Sequence, residues 1–148
     1  MADALRDADS GLLNHDYFRA ALPNRVATAR RVLRPISVGV LELSELDVTP
    51  VVAYALQDTL RESDTACRLE DGRFAVLLED TPEDGAVWTL ERLRRLLGEQ
   101  GVDVVLWGGV ASYPAHALEA ADLLALAEAA LESARAWAEG RIEVAPTP

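Results

Sequence analysis

Two residues of opposite charge, Arg61 and Asp64, stand three positions apart near the middle of the chain and could together recognise a purine nucleotide. A guanidinium group offers a planar fork of donors that fits the O6 and N7 acceptors of guanine or the oxygens of a phosphate. A carboxylate can accept hydrogen bonds from the N1 and N2 groups of the same base. At this spacing, where a helix is predicted to run into a strand, both side chains can point the same way, so the pair predicts a guanine-binding or phosphate-binding site.

A second group of charged residues surrounds a predicted turn. Glu70 and Asp71 directly precede Gly72, and Glu42 lies on a predicted strand. Carboxylate oxygens are the ligands that hard divalent cations prefer, so Glu42, Glu70 and Asp71 could hold such a cation if they met at the end of the turn. Acidic residues beside a turn are more often simply hydrated, so we expect no metal and no cofactor here.

The overall charge excludes two classes of partner. Fourteen arginines, with no lysine, face twenty-five acidic residues, which gives a formal net charge of −11. Polymeric nucleic acid and anionic membranes both reward excess positive charge, so neither is an expected partner. A small anionic ligand would need a local cluster of arginines.

Cysteine and histidine usage favours a cytoplasmic protein without a zinc site. Cys67 is the one cysteine, which rules out an internal disulfide and suits a reducing compartment. His15 and His116 are far apart and have no zinc-binding spacing. The acidic start of the chain lacks the features of a signal peptide, and the longest uncharged stretch, residues 104–118, is too short to span a bilayer.

The elements that must position these residues follow from hydrophobic periodicity and turn signals. Apolar residues at helical spacing predict a helix over residues 14–34, in which Pro23 could introduce a kink or delay the start. β-branched residues predict a mostly buried strand over residues 36–43. Thr49 and Pro50 begin a helix that is predicted to continue to Leu60.

The second half of the chain opens with a hairpin. Residues 65–70 and 73–78 have strand character and flank Asp71–Gly72, which predicts a two-residue turn. Further elements are predicted along the chain: a helix over residues 82–97 ended by Gly98, a buried strand over 102–111, an Ala/Leu-rich helix over 118–138 and a short strand over 142–144. This order predicts an α+β sandwich with helices covering a mixed sheet. No linker, repeat or low-complexity tract divides residues 1–148, which are predicted to form a single domain.

At several positions in register, the chain resembles the GGDEF domain, the family of diguanylate cyclases. Residues 7–18 resemble the family's opening segment, D-x-L-T-G-L-x-N-R-x-x-F, and residues 61–78 resemble the stretch around the motif that names the family. Residues 109–114 and 127–135 resemble its last core strand and its Ala-rich final helix. The resemblance implies a nucleotidyl cyclase-like fold with a central, mostly antiparallel sheet of about five strands, and a role in bacterial second-messenger signalling.

The naming motif itself departs from the family. Active members condense two GTP into cyclic di-GMP, with a glycine turn that approaches phosphates and carboxylates that hold divalent metals. The positions that match this motif are Glu70, Asp71, Gly72, Arg73 and Phe74. The D-x-D pair of the first strand corresponds to Glu42 and Ser44, and the following segment, which reads guanine in active members, is about a dozen residues shorter. The resemblance therefore implies a degenerate domain without cyclase activity and without a catalytic residue.

Arg61 and Asp64 match an inhibitory site that many family members carry. That site is an Arg-x-x-Asp placed five residues before the naming motif, and it binds the product; here Thr65 to Leu69 intervene. An arginine on the next helix completes the site in the family, and Arg92 stands at the matching position. The resemblance implies a cyclic di-GMP receptor that acts through Arg61, Asp64 and Arg92.

Other interpretations stay open. Arg61 and Asp64 could form an exposed ion pair worth well under about 1 kcal/mol. The fold would then serve as a ligand-independent interaction or dimerisation module, with a homodimer or a partner signalling protein as its assembly. A weak cyclase is a third interpretation. Arg135 matches a basic position that contacts phosphates in active relatives, and here we expect it to face solvent or a carboxylate.

Overall fold

The computed structural model describes residues 2–148, and its elements follow the predicted order. A short 3₁₀-helix over Ala2–Leu5 comes first. The remaining elements are α1 (His15–Val32), β1 (Ile36–Leu43), α2 (Thr49–Thr59), β2 (Thr65–Arg68), β3 (Phe74–Glu79), α3 (Glu83–Glu99), β4 (Leu106–Tyr113), α4 (Ala120–Ala134) and β5 (Arg141–Val144). The predicted α+β class is therefore confirmed.

The five strands form one mixed sheet in the order β2-β3-β1-β4-β5. β1 pairs antiparallel with β3 and with β4, and β2 pairs antiparallel with β3. β5 alone runs parallel to its neighbour, β4. The mostly antiparallel sheet that the family resemblance implied is present, and β2 lies at one of its edges.

Helices cover both faces of the sheet. α1 and α4 pack on one face and α2 and α3 on the other. Side chains alternate along a strand, so Val38 and Val40 of β1 face α1 and α4, whereas Leu41 and Leu43 face α2 and α3. Glu42 has the parity of Val40 and so lies on the face that α4 covers.

The loop between β2 and β3 differs from the predicted two-residue turn. The Leu69 amide donates to the Arg73 carbonyl at 2.8 Å, so residues 70–72 form a three-residue loop. The Gly72 amide donates back to the Leu69 carbonyl at 3.1 Å, and Gly72 has a φ of 90°. A type I turn closed by a left-handed glycine needs one residue of positive φ, whereas the predicted turn would need two, and Asp71 does not supply the second.

Several predicted boundaries move by a few residues. α1 continues through Pro23, and α3 passes Gly98 to end at Glu99. A glycine ends a helix where the backbone turns left-handed, and that happens at Gly101, with a φ of 74°. The predicted strand over 102–111 lies at Leu106–Tyr113, and the last helix spans Ala120–Ala134 rather than 118–138. None of the helices between residues 2 and 148 has the length and apolar character needed to cross a membrane.

Candidate functional site

Asp64 and Arg61 meet in the loop between α2 and β2. Arg61 donates from Nε to Oδ2 of Asp64 at 3.2 Å and from Nη2 to Oδ1 at 3.1 Å. The same carboxylate accepts from the backbone amides of Arg61 at 3.0 Å and of Glu79 at 3.2 Å. The Asp64 side chain is only 3% exposed. The hydrogen bond to Asp64 raises the pKa of the Arg61 guanidinium above its ordinary value.

Arg61 is anchored on its inner edge and exposed on its outer edge. Its Nη2 also donates to the carbonyl of Glu79 and to Oγ1 of Thr81, each at 2.6 Å. The side chain is 57% exposed, and Nη1 donates to no other described residue. Asp64 therefore holds Arg61 in place, and Arg61 is the member of the pair that faces solvent.

Arg92 is exposed on α3, the helix that follows β3. Its guanidinium sits over the ring of Trp88, 5.6 Å from the centroid. It lines a recess with Asp58 and Thr59 at the end of α2. The structure thus brings together two of the three residues that the sequence singled out, and places the third in a neighbouring recess.

A different recess, of about 370 Å³, does contain Arg61 and Asp64. It opens at the β2 edge of the sheet between α1 and the end of α2. We call it the basic recess and define it by its arginines, its aromatic wall and its apolar floor: Arg6, Arg25, Arg61, Tyr17, Leu12 and Leu60. No sequence signal marked Arg6 or Arg25 for this place, because no local pattern tells on which side of the sheet α1 packs.

At the end of the hairpin, two arginines and two glutamates form a ring of alternating charge. Glu42 accepts from Nε of Arg73 at 2.9 Å, and its other oxygen lies 3.1 Å from Nε of Arg135. Glu132 closes the ring, 3.7 Å from Nη2 of Arg73 and 3.2 Å from Nη1 of Arg135. We call these four residues the hairpin ion-pair ring. Arg135 thus contacts carboxylates, one of the two environments expected for it.

The hairpin residues do not fit the divalent cation that the resemblance implies for active members. Both oxygens of Glu42 already contact guanidinium groups. Glu70 points toward Arg19, 3.8 Å away, and Asp71 accepts from the backbone amide of Arg73 at 3.0 Å. Within residues 2–148, no three His, Cys, Asp or Glu side chains gather closely enough to hold a metal. The three carboxylates considered from the sequence do not converge.

Arg68, which no sequence pattern singled out, connects the hairpin to the N-terminal segment. Arg68 is buried beside Phe74, with its guanidinium 5.0 Å from the ring centroid. Its Nε donates to the Gly72 carbonyl at 3.1 Å, and its Nη1 lies 3.8 Å from Oδ2 of Asp7. The positive charge near the hairpin is therefore engaged by residues of the chain itself.

Comparison with known proteins gives one family. The family model described as diguanylate cyclase, GGDEF domain, matches residues 4–141. No curated protein sequence matches the chain.

Solved structures share the fold over nearly the full chain. The GGDEF domain of YfiN (also called TpbB) from Pseudomonas aeruginosa is 25% identical, with a TM-score of 0.83, over 93% of this chain and 98% of that chain. The GGDEF domain of DgcB from Caulobacter crescentus, in complex with c-di-GMP, is 18% identical, with a TM-score of 0.87, over 99% and 96%. The P. aeruginosa diguanylate cyclase SiaD, in complex with its activator SiaC, is 22% identical, with a TM-score of 0.85, over 97% and 63%.

Proposed function

The chain belongs to the diguanylate cyclase GGDEF domain family, and from that premise we propose that it is a cyclic di-GMP receptor without cyclase activity. Its ligand contact is Arg61, held by Asp64, and its place is in second-messenger signalling. The resemblance implies a third contact from Arg92, which this proposal leaves out because Arg92 lines a separate recess with Asp58 and Thr59.

The absence of cyclase activity is supported by the hairpin ion-pair ring. Glu42 is the carboxylate that matches a metal ligand of active members, and two guanidinium groups contact it. Arg73 stands where a carboxylate of the motif would stand, and its Nη2 lies near Glu132. Glu70 and Asp71 add negative charge at the turn where a triphosphate would approach. This observation carries the proposal that the domain does not turn over GTP.

The receptor role is supported by the order of the Arg61–Asp64 pair. Asp64 fixes the guanidinium through two hydrogen bonds, so little side-chain freedom remains to be lost when a ligand binds. The charge does not depend on pH in the physiological range, because an arginine guanidinium stays protonated there. The DgcB structure, with c-di-GMP bound, supplies the ligand class for this proposal.

Calorimetric titration with cyclic di-GMP tests the receptor role. We expect Arg61→Ala to weaken binding by roughly 1.5–3 kcal/mol, because a charge-assisted contact is lost. Arg31→Ala is the matched control, since Arg31 is an exposed arginine of α1 outside the basic recess. The receptor role is wrong if the unaltered chain gives neither heat nor a thermal shift at high micromolar ligand.

Incubation with GTP and Mg²⁺ or Mn²⁺, followed by chromatography, tests the missing cyclase activity. We expect GTP to remain unchanged. A cyclic dinucleotide product would overturn this part of the proposal and leave the receptor role to be judged by the titration.

A ligand-independent interaction module is the second candidate function. Aromatic side chains are exposed on the helices of one face: Tyr54 of α2 is 69% exposed and Trp88 of α3 is 60% exposed. SiaD is seen in complex with an activator protein, which supports a protein partner as one form of this candidate. Light scattering with and without cyclic di-GMP separates the candidates, since a module of this kind self-associates to the same extent in both.

A further inference from the structure

Three arginines from distant parts of the sequence meet in the basic recess. Arg6 comes from the N-terminal segment, Arg25 from α1 and Arg61 from the loop before β2. In a chain with a net charge of −11, this recess gathers positive charge at one place. Three carboxylates offset part of this charge: Asp64 is sealed beneath Arg61, Glu79 pairs with Arg25 at 3.4 Å, and Glu62 is exposed at the rim.

Arg25 is held rigidly at the wall of the recess. It donates from Nη1 to Oγ1 of Thr65 at 2.9 Å and from Nη2 to the hydroxyl of Tyr17 at 3.1 Å. Nη1 also lies 3.4 Å from Oε1 of Glu79. These contacts join α1, β2 and β3 around one guanidinium, so its position is fixed before any ligand arrives, although Glu79 offsets part of its charge.

Donor groups of the other two arginines remain for a ligand. Arg6 is exposed and donates from Nη1 to the carbonyl of Gly11 at 3.1 Å, which is the one hydrogen bond of its guanidinium to the part of the chain that the structure describes. The outward Nη1 of Arg61 makes no hydrogen bond within residues 2–148. Guanidinium groups fit phosphate oxygens because two parallel N–H donors match two acceptors.

The remaining walls suit a base. Leu12, which is 1% exposed, and Leu60 form the apolar part of the recess, and the ring of Tyr17 lies beside them. A recess of about 370 Å³ falls in the range of small-molecule sites, roughly 300–1,000 Å³. Arg92 lines a separate recess with Arg95, where two carboxylates, Asp58 and Glu99, equal the arginines in number.

We infer that a phosphate-bearing nucleotide binds in the basic recess through Arg6, Arg25 and Arg61, with its base against Tyr17 and Leu60, and that Arg92 does not contact it. The identity of this nucleotide as cyclic di-GMP rests on the proposed function, whereas the phosphate-binding chemistry rests on the recess itself. The ligand then lies on the α1 side of the β2 edge, away from α3.

A titration series with cyclic di-GMP separates the two arrangements. Arg6→Gln removes an exposed charge while keeping most of the side chain, and we expect it to weaken binding about tenfold, or about 1.4 kcal/mol. Arg92→Gln is the matched control on α3, and we expect it to leave the affinity unchanged. The indole N–H resonance of Trp88, the neighbour of Arg92, is expected to stay in place during an NMR titration.

Parallel titrations with 5′-GMP and inorganic phosphate distinguish this inference from the proposed function. If cyclic di-GMP binds and its affinity depends on Arg92 but not on Arg6, the inference is overturned and the receptor role stands. If only GMP or phosphate binds, with the same dependence on Arg6, the recess is a phosphate site and the cyclic di-GMP receptor role fails. If the unaltered chain binds none of the three, both are overturned.

Discussion

Asp64 and Arg61 have different roles in the candidate site: Asp64 positions the guanidinium, and Arg61 presents it to solvent. The carboxylate of Asp64 is 3% exposed, and its oxygens accept hydrogen bonds from Arg61 and from the backbone amide of Glu79. The guanidinium is 57% exposed and keeps its outer edge toward solvent. A buried carboxylate that holds an exposed guanidinium fixes the direction in which the guanidinium points, because turning away would leave the buried negative charge without its counter-charge. This is why the pair differs from an ordinary surface ion pair, whose partners are both mobile.

Cys67 gives a pH-dependent prediction. The thiol lies on β2 in the core, and burial raises its pKa from 9.0 to about 12. In the unfolded chain the thiol ionises above about pH 9, whereas in the folded chain it stays protonated, so the unfolded state gains stability as the pH rises. Between about pH 9 and 12, we expect the free energy of unfolding to fall by about 1.4 kcal/mol per pH unit from this group.

The comparison of urea unfolding at neutral and alkaline pH checks this expectation. Cys67→Ala is the control, since it loses the titrating group but keeps the other titrations of the chain. The difference in unfolding free energy between the two proteins must shrink as the pH rises from 9 toward 12. A constant difference over that interval would show that the thiol ionises equally in both states.

The contact between β4 and α4 gives a prediction about packing. A Cβ added at Gly109 would lie 2.1 Å from the carbonyl oxygen of Ala127 and 2.3 Å from the amide of Leu131. Both are backbone atoms of α4, so the helix itself would have to move. We expect Gly109→Ala to lower the free energy of unfolding by about 3 kcal/mol or more.

Gly98→Ala is the matched control, measured in the same denaturation experiment. Gly98 lies within α3, and a Cβ there meets nothing within 4 Å. Alanine restricts the unfolded backbone more than glycine does, so we expect a gain of roughly 0.5–1 kcal/mol. Equal effects at the two glycines would contradict this account of the β4–α4 contact.

The elements could be predicted from sequence where a local pattern decides them. β1 was predicted to the residue, Ile36–Leu43, because its β-branched and apolar run is bounded by Pro35 and by a polar loop. The hairpin loop was predicted one residue too short, because Asp71–Gly72 satisfies the rule for a two-residue turn as well as the rule for a three-residue loop. Gly98 did not end α3, because its backbone stays helical and the left-handed turn falls three residues later, at Gly101.

The candidate site could be predicted only in part. The three-residue spacing of Arg61 and Asp64 did place the two side chains in contact. The burial of Asp64 depends on the amide of Glu79, fifteen residues away on β3, and no local pattern encodes that contact. The joining of Arg6 and Arg25 to the pair depends in the same way on how α1 and the N-terminal segment pack against β2.

The full domain carries an excess of negative charge that gives a prediction of its own. At a net charge of −11, folding concentrates repulsion that the unfolded chain relieves by expanding. Added salt screens this repulsion over about 8–10 Å, while the exposed ion pairs that salt weakens contribute little. We expect the melting temperature to rise with sodium chloride concentration at neutral pH, as measured by calorimetry, and to rise much less near the isoelectric point. A fall at neutral pH would mean that the ion pairs outweigh the net repulsion.

The hairpin ion-pair ring also has a consequence for the conditions under which the domain keeps its shape. The occupancy of a metal site depends on the concentration of the cation. Arg73 and Arg135, by contrast, are part of the same chain as the carboxylates that they neutralise. A chelator has nothing to withdraw from such an arrangement. We therefore expect the turn to keep one conformation whether magnesium is plentiful or removed.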